Sequence, residues 1–359
     1  MPTAASAPSP TARLARRGDT TFVQTLRRRA VSVPAVVFGL VVVAPLLVAA
    51  LPLLATFDLL RGERRLPRAR LAVFGIWYLA WEVAAVLAAV GLWVATGFGR
   101  RTHSEWSQAR HAALQAAWVT SILGAAQRIL DLDLDVEGSD CLVPDADAHS
   151  AGAPLIVLCR HASMVDTLVP AKLLFDQGYR VRYVLKDELL WDPALDIIGH
   201  RLPNCFIDRS SPDMAAEIDG IGALAAGAGP NEALVIFPEG TRWSPEKRER
   251  AIARLRETEP ARAERAERLV ATMPPRAAGT LALLAGRPDA DVVIVSHTGL
   301  EGLAGPGAAL RLLPLRRPMQ VSLRRIARSD VPDGAAAQTA WLLDQWDQVD
   351  AWIRAARPA

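Results

Sequence analysis

Residues 154–170 read PLIVLCRHASMVDTLVP. The run Leu155–Cys159 is short, aliphatic and rich in β-branching, which predicts a strand buried on both faces. It ends at His161, and Asp166 follows five residues later, where the next helix should begin. Both side chains are awkward inside a packed domain, so their placement at a strand end marks a candidate site. The same grammar recurs along the chain. RVRYVLK (180–186), NCFID (204–208), ALVIF (233–237), DVVIVSH (291–297) and MQVSLRRI (319–326) all read as strands, with helical patterns between several of them. That alternation predicts an α/β fold with a mainly parallel sheet flanked by helices, and functional residues at strand ends.

The rest of the chain is unusually apolar. Of 359 residues 51% are hydrophobic and the mean hydropathy is +0.17, so part of the chain is expected to meet lipid. The net charge of +3 is too even to argue for nucleic acid, but only Lys172, Lys186 and Lys247 among the 41 basic residues are lysines. Arginine suits phosphate and anionic headgroups. Cys141, Cys159 and Cys205 form no CxxC pair and no metal spacing, which fits a reducing compartment.

Residues 33–57 hold no ionisable side chain and would span about 38 Å as a helix at roughly 1.5 Å per residue. A second apolar run, 71–98, carries only Glu82 and is rich in Trp and Tyr. A cleaved signal peptide would have a shorter core and no second run behind it. Arginines flank both runs and fill the loop between them, at Arg61, Arg64, Arg65, Arg68 and Arg70. A spanning hairpin would leave that basic loop outside, against the positive-inside rule. One-sided insertion keeps every arginine on the cytosolic face, and Pro34, Pro45 and Pro52 suit a bent, re-entrant first helix.

This divides the chain into a disordered tail (1–25), a membrane-inserted helical hairpin (26–103), a connecting helix (104–149), the α/β domain (150–335) and a C-terminal amphipathic helix (336–359). The charged stretch 245–270 reads as a solvated helical pair with local ion pairs, or as a membrane-facing element. The last helix sets Trp341, Leu342, Trp346, Val349 and Ile353 on one side, as core packing or an interface would both require.

If Asp166 accepts a hydrogen bond from one nitrogen of His161, the other is left to take a proton, as a general base must. Ser163 with Asp166 equally matches a helix-capping box. Downstream, FPEGTR (237–242) runs from a strand into Glu239, Gly240, Thr241 and Arg242, where glycine permits close backbone approach and arginine can grip a phosphate. CFIDRSS (205–211) repeats the design with Arg209. Three such strand ends would make a basic pocket beside a histidine.

His-x4-Asp, then FIDR, then FPEGTR, in this order, resembles the glycerolipid acyltransferases that acylate lysophosphatidic acid and related lysophospholipids. The likeness covers about 150–300 and continues more loosely through MPPRAAG (273–279) and the tryptophan-rich C-terminal helix, which resemble the family's long-chain branch. The resemblance implies a glycerol-phosphate-acyltransferase-like fold behind a membrane hairpin. It implies His161 as base, Asp166 as its orienting partner, Phe206, Ile207, Asp208 and Arg209 as the acceptor motif, and Glu239, Gly240, Thr241 and Arg242 as the phosphate motif. Lys186 stands where the family often has a lysine, as a phosphate contact or a surface group. Where the family has Asn before the histidine and Gln after it, this chain has Arg160 and Ala162, and Arg160 adds a substrate-facing charge to the expected site. VVIVSHTGLEG (292–302) lacks the family's proline-containing fourth block and receives no assignment.

The implied reaction moves a fatty acyl group from acyl-CoA or acyl carrier protein to a lysophospholipid hydroxyl, lysophosphatidic acid first. It needs no metal, no cofactor beyond the acyl donor, no nucleic acid and no obligatory protein partner. The expected place is a membrane, a bacterial inner membrane, with the catalytic domain on its cytoplasmic side. His103, His111, His149, His200 and His297 read as structural or surface groups. A membrane-associated hydrolase in which His161 activates water, and a non-catalytic protein holding anionic lipid in the basic pocket, are the two rival readings.

Overall fold

The computed structural model describes residues 22–143, 153–163, 165–208, 211–303, 306–315 and 317–356. Most of the expected tail, and Arg209 of the acceptor motif, lie outside these residues; residues 22–25 open the first helix.

Among these residues seven strands form one sheet: β1 (Leu134–Glu137), β2 (Leu155–Cys159), β3 (Arg180–Lys186), β4 (Cys205–Ile207), β5 (Glu232–Ile236), β6 (Asp291–Thr298) and β7 (Met319–Ile326). Their order is β1-β7-β6-β2-β5-β3-β4, and every pairing is parallel except β6 with β7. β2 lies centrally, with Leu155 opposite Ala233 of β5 and Asp291 of β6. All five of its residues are buried, because helices cover both faces.

Alternate side chains on the central strands feed two cores. Val157, Val235 and Val293 face helix α3 (Glu105–Leu130), through Trp118, Ile122 and Leu123, and helix α4 (Leu168–Asp176), through Leu174. Ile156, Leu158, Leu234 and Ile294 face α6 (Met214–Ala226), α9 (Ala277–Gly286) and the C-terminal α11 (Ala335–Ala356). Trp346, Val349 and Ile353 of α11 are buried there, which settles that helix as core. The supposed connecting helix is likewise a layer of the fold. It starts at Ser104, whose side chain accepts from the Ser107 amide, and ends at Asp131 in the left-handed region. The short helix α5 (Pro193–Gly199) carries the Asp192 cap and proline at its first turn. The charged stretch forms α7 (Pro245–Thr258) and α8 (Pro260–Arg268), tied to α11 by Arg265 with Asp344 and Asp347. The remaining helix of the fold, α10, covers Pro306–Leu312.

Among the described residues two helices are long and apolar enough to cross a membrane: α1 (Phe22–Leu60) and α2 (Pro67–Ala95). The first is one continuous helix. It runs on through Pro34 and Pro52, and a π-helical turn at Gly39–Val43 absorbs the register change before Pro45. α2 packs along α3, and polar ties reach the α/β domain along the hairpin's length. Arg28 and Arg29 both clasp Asp196, Tyr78 donates to Asp192 at 2.6 Å, and Glu82 accepts from Trp118 Nε1 at 2.8 Å. At the loop end Arg65 and Arg70 meet Asp131 at 3.0 and 2.7 Å.

Candidate active site

A cleft of about 430 Å³ opens at the carboxyl ends of β2, β3, β4 and β5. Its walls are mostly apolar, with Val184, Ile207, Met214, Ile221 and Ile236, and its polar side carries His161, Lys186, Thr241, Arg242, Lys247 and Arg276.

His161 stands two residues beyond β2, its side chain 16% exposed, with Nδ1 3.3 Å from Asp166 Oδ2. A carboxylate can only accept, so Nδ1 carries the proton and Nε2 is left as the acceptor. Asp166 is fully buried and does not cap α4, whose cap, Thr167, makes no side-chain bond. It gathers its own loop instead, accepting from the Ala162 amide, the Ser163 amide and the Ser163 hydroxyl. Burial opposes its ionisation, but His297, His161 and Ser163 together hold the carboxyl well below the usual carboxylate range. A buried, ionised, loop-anchored acceptor is what orients an imidazole. The ring is further fixed against Phe237, 4.8 Å between centroids.

The FPEGTR segment divides its work. The Gly240 amide closes a turn on Phe237 O at 2.9 Å, with Gly240 at φ +70°, where a side chain would be strained and would crowd Arg276. Thr241 and Arg242 line the cleft. Glu239 does not. Its buried carboxylate accepts from the His161 amide and the Met273 amide, both at 2.9 Å, so it braces the backbone of His161 rather than lining the cleft. Burial pushes this carboxyl up to about 8.

Three further expectations need correction. Arg160 faces away from the cleft: it is fully buried and donates to His297 O, Glu301 Oε1 and Ala271 O. Consecutive residues leaving a strand point to opposite sides, so His161 takes the cleft and Arg160 the interior. By the same alternation Ile207 lines the cleft, while Phe206 turns to the other face and stacks on His200, centroids 4.9 Å apart. Asp208 lies outside the cleft lining, near Asp187. Lys186 does line it, 3.7 Å from Glu188.

Sequence reasoning missed Arg276, Lys247 and His297. Arg276 lies in MPPRAAG and is brought beside Gly240 when its amide bonds Pro238 O at 2.8 Å. Among the described residues neither Arg242 nor Arg276 has a carboxylate partner. His297, buried in β6, lies 3.5 Å from Asp166 Oδ2. Among the described residues no group of three or more His, Cys, Asp or Glu is placed to hold a metal ion.

Comparison with known proteins places this site in context. The acyltransferase family model matches residues 135–295, from β1 to β6. Over 92 residues the chain is 36% identical to the mouse (Mus musculus) protein 1-acyl-sn-glycerol-3-phosphate acyltransferase epsilon; this covers 25% of each chain, so the chain spans about a quarter of that relative's length. Among solved structures, the 1-acyl-sn-glycerophosphate (LPA) acyltransferase PlsC from Thermotoga maritima is 15% identical, with a TM-score of 0.46, covering 77% of this chain and 98% of the other.

Proposed function

We propose that this chain, which carries an acyltransferase-family domain over residues 135–295, is a membrane-bound O-acyltransferase. It moves a fatty acyl group from acyl-CoA or acyl carrier protein to the free hydroxyl of a lysophospholipid, lysophosphatidic acid first. The observation that carries this reading is a histidine with its Nδ1 committed to a buried aspartate, set in a mainly apolar cleft beside two arginines that have no carboxylate partner among the described residues.

His161 Nε2 removes the proton of the acceptor hydroxyl as that oxygen attacks the thioester carbonyl. The tetrahedral adduct collapses with loss of the thiolate, which takes the proton back from the imidazolium and leaves as a free thiol. Asp166 stays ionised throughout and stabilises the imidazolium, as in a hydrolase triad whose serine is replaced by the substrate alcohol. Arg242 and Arg276, with Lys186 and Lys247 nearby, hold the acceptor phosphate and so fix where its hydroxyl sits. The apolar wall receives acyl chain.

We place the hairpin in one leaflet, on the side of the α/β domain. The support is that residues at both ends and in the middle of the hairpin bond to that domain, through Arg28 and Arg29, Glu82, and Arg65 and Arg70. A hairpin crossing the bilayer would carry the loop end roughly 30 Å away from the domain.

The test is conversion of long-chain acyl-CoA and lysophosphatidic acid by detergent-purified protein, with phosphatidic acid and free fatty acid measured separately. Phosphatidic acid as the main product supports transfer. Fatty acid alone, in equal amount with and without lysolipid, would identify a hydrolase, and lipid binding with no turnover over a panel of lysolipids a binding protein.

A further inference from the structure

Behind His161 lies a second histidine that the acyl-transfer chemistry does not use. His297 sits near the end of β6, is 2% exposed, and brings Nε2 to 3.0 Å from Arg160 O and 3.5 Å from Asp166 Oδ2. A backbone carbonyl only accepts, so Nε2 carries the proton and gives it to Arg160 O, with Asp166 Oδ2 beside it at 3.5 Å. Its Nδ1 is buried with no hydrogen-bond partner among the described residues. The contact is reciprocal. The Arg160 guanidinium donates to His297 O at 2.6 Å and the Arg160 amide to Val295 O at 3.0 Å, so three bonds tie residue 160 to the end of β6. Residue 160 immediately precedes the base, and Asp166 orients it.

We infer that His297 is a positioning residue for the His161–Asp166 pair: with Arg160 it locks the peptide carrying the base, and its Nε2–H lies against the Asp166 carboxylate that orients His161. This rests on the acyltransferase reading of the site. It also gives a reason for the sequence of the motif. Arg160 and the end of β6 are two halves of one clamp, the arginine reaching His297 O and Glu301 while the histidine side chain answers at Arg160 O. The charged and titratable groups around this pair are Arg160, His161, Asp166, Glu239, Glu301 and Cys159. Arg160 offsets Glu301 and holds that carboxyl down to about 2 although burial opposes it, and burial holds the His297 imidazole below its ordinary value.

Removing the Nε2–H donor leaves more of the carboxylate's charge for His161, which favours the imidazolium. His297→Leu is therefore expected to move the acid limb of the kcat profile to higher pH and, because the peptide carrying His161 loses its tie to β6 at Arg160 O, to lower kcat at least fivefold with KM for both substrates within twofold. His297→Gln, which can return an N–H to the same place, is expected to recover kcat to within threefold of the parent and restore the limb. The full-length protein in detergent is assayed, with its melting temperature measured in parallel. A folded His297→Leu variant with parental kcat and profile overturns the inference. So does a loss of kcat with an unmoved profile that Gln does not repair, which is what a merely structural role gives. If His297→Leu does not fold, nitrogen-15 spectra of the histidine-labelled parent and of Asp166→Asn decide. A His297 signal protonated at Nε2 and displaced by Asp166→Asn supports the contact, and one that does not respond refutes it. His161→Ala, run alongside, separates the two layers: full activity in that variant sinks the site itself, not only the clamp.

Discussion

Replacing Asp166 by Asn isolates charge from geometry. Oδ2 takes the amides of Ala162 and Ser163 and the Nδ1–H of His161, while Oδ1 takes only the Ser163 hydroxyl. An asparagine can keep its oxygen where Oδ2 was and turn its NH2 toward Ser163 Oγ, a hydroxyl that can accept. The tautomer and orientation of His161 then survive, and what disappears is a full negative charge 3.3 Å from the ring. At an effective dielectric of about 20 that charge stabilises an imidazolium by about 5 kcal/mol, somewhat less once solvent at the partly exposed ring is allowed for. Because the imidazolium forms only as the hydroxyl is deprotonated, the loss falls on kcat, roughly 10³-fold, with KM little changed. The same loss makes the ring easier to deprotonate, so the acid limb of the kcat profile should move to lower pH. Single-turnover acyl transfer from acyl-CoA, followed from pH 5 to 9 in parent and Asp166→Asn, measures both. A variant within tenfold of the parent, or an acid limb displaced upward, would refute the reasoning.

Other consequences are more local. Arg242→Ala and Arg276→Ala should each raise KM for lysophosphatidic acid by about tenfold or more, from the loss of a charge-assisted bond of roughly 1.5–3 kcal/mol, with little effect on a lysolipid lacking a net negative headgroup; equal effects on both acceptors would contradict the phosphate assignment. Burial holds the imidazoles of His111 and His297 below their ordinary value, so below about pH 6.5 the unfolded chain binds more protons than the folded one. Stability is therefore present above that pH and lost as pH falls, by up to about 1.4 kcal/mol per unit for each histidine, and thermal melts of His111→Gln should show a shallower slope than the parent between pH 7 and 5.5. A cysteine at Arg64, in a background without the native three, should react with an impermeant maleimide only from the side that exposes the α/β domain, and labelling from the opposite side alone would establish a spanning hairpin.

Much of this was legible because the central strands are covered on both faces. β2, β5 and β6 therefore read as unbroken apolar runs, and each hands over to a polar motif at its end. β1, LDVE, escaped notice since it is a four-residue edge strand with alternating exposure and two carboxylates, which looks like loop. The C-terminal helix carried one apolar side that packing and interface explain equally well until α9 and the sheet are seen beneath it. Arg160 was misread because a charge next to a candidate base suggests electrostatics, whereas its direction is fixed by the strand it leaves. Arg276 and His297 could not be joined to His161 from the sequence, for only the return of the chain at Pro238 and the pairing of β6 on β2 brings them there.

The central claim is that His161 is the base of an acyl transfer. The most direct measurement is the rate of phosphatidic acid formation from long-chain acyl-CoA and lysophosphatidic acid, with purified parent and His161→Ala compared at equal folded concentration. The account predicts product from the parent and at least a hundredfold less from the variant, with acceptor binding retained. Equal rates in the two would contradict it.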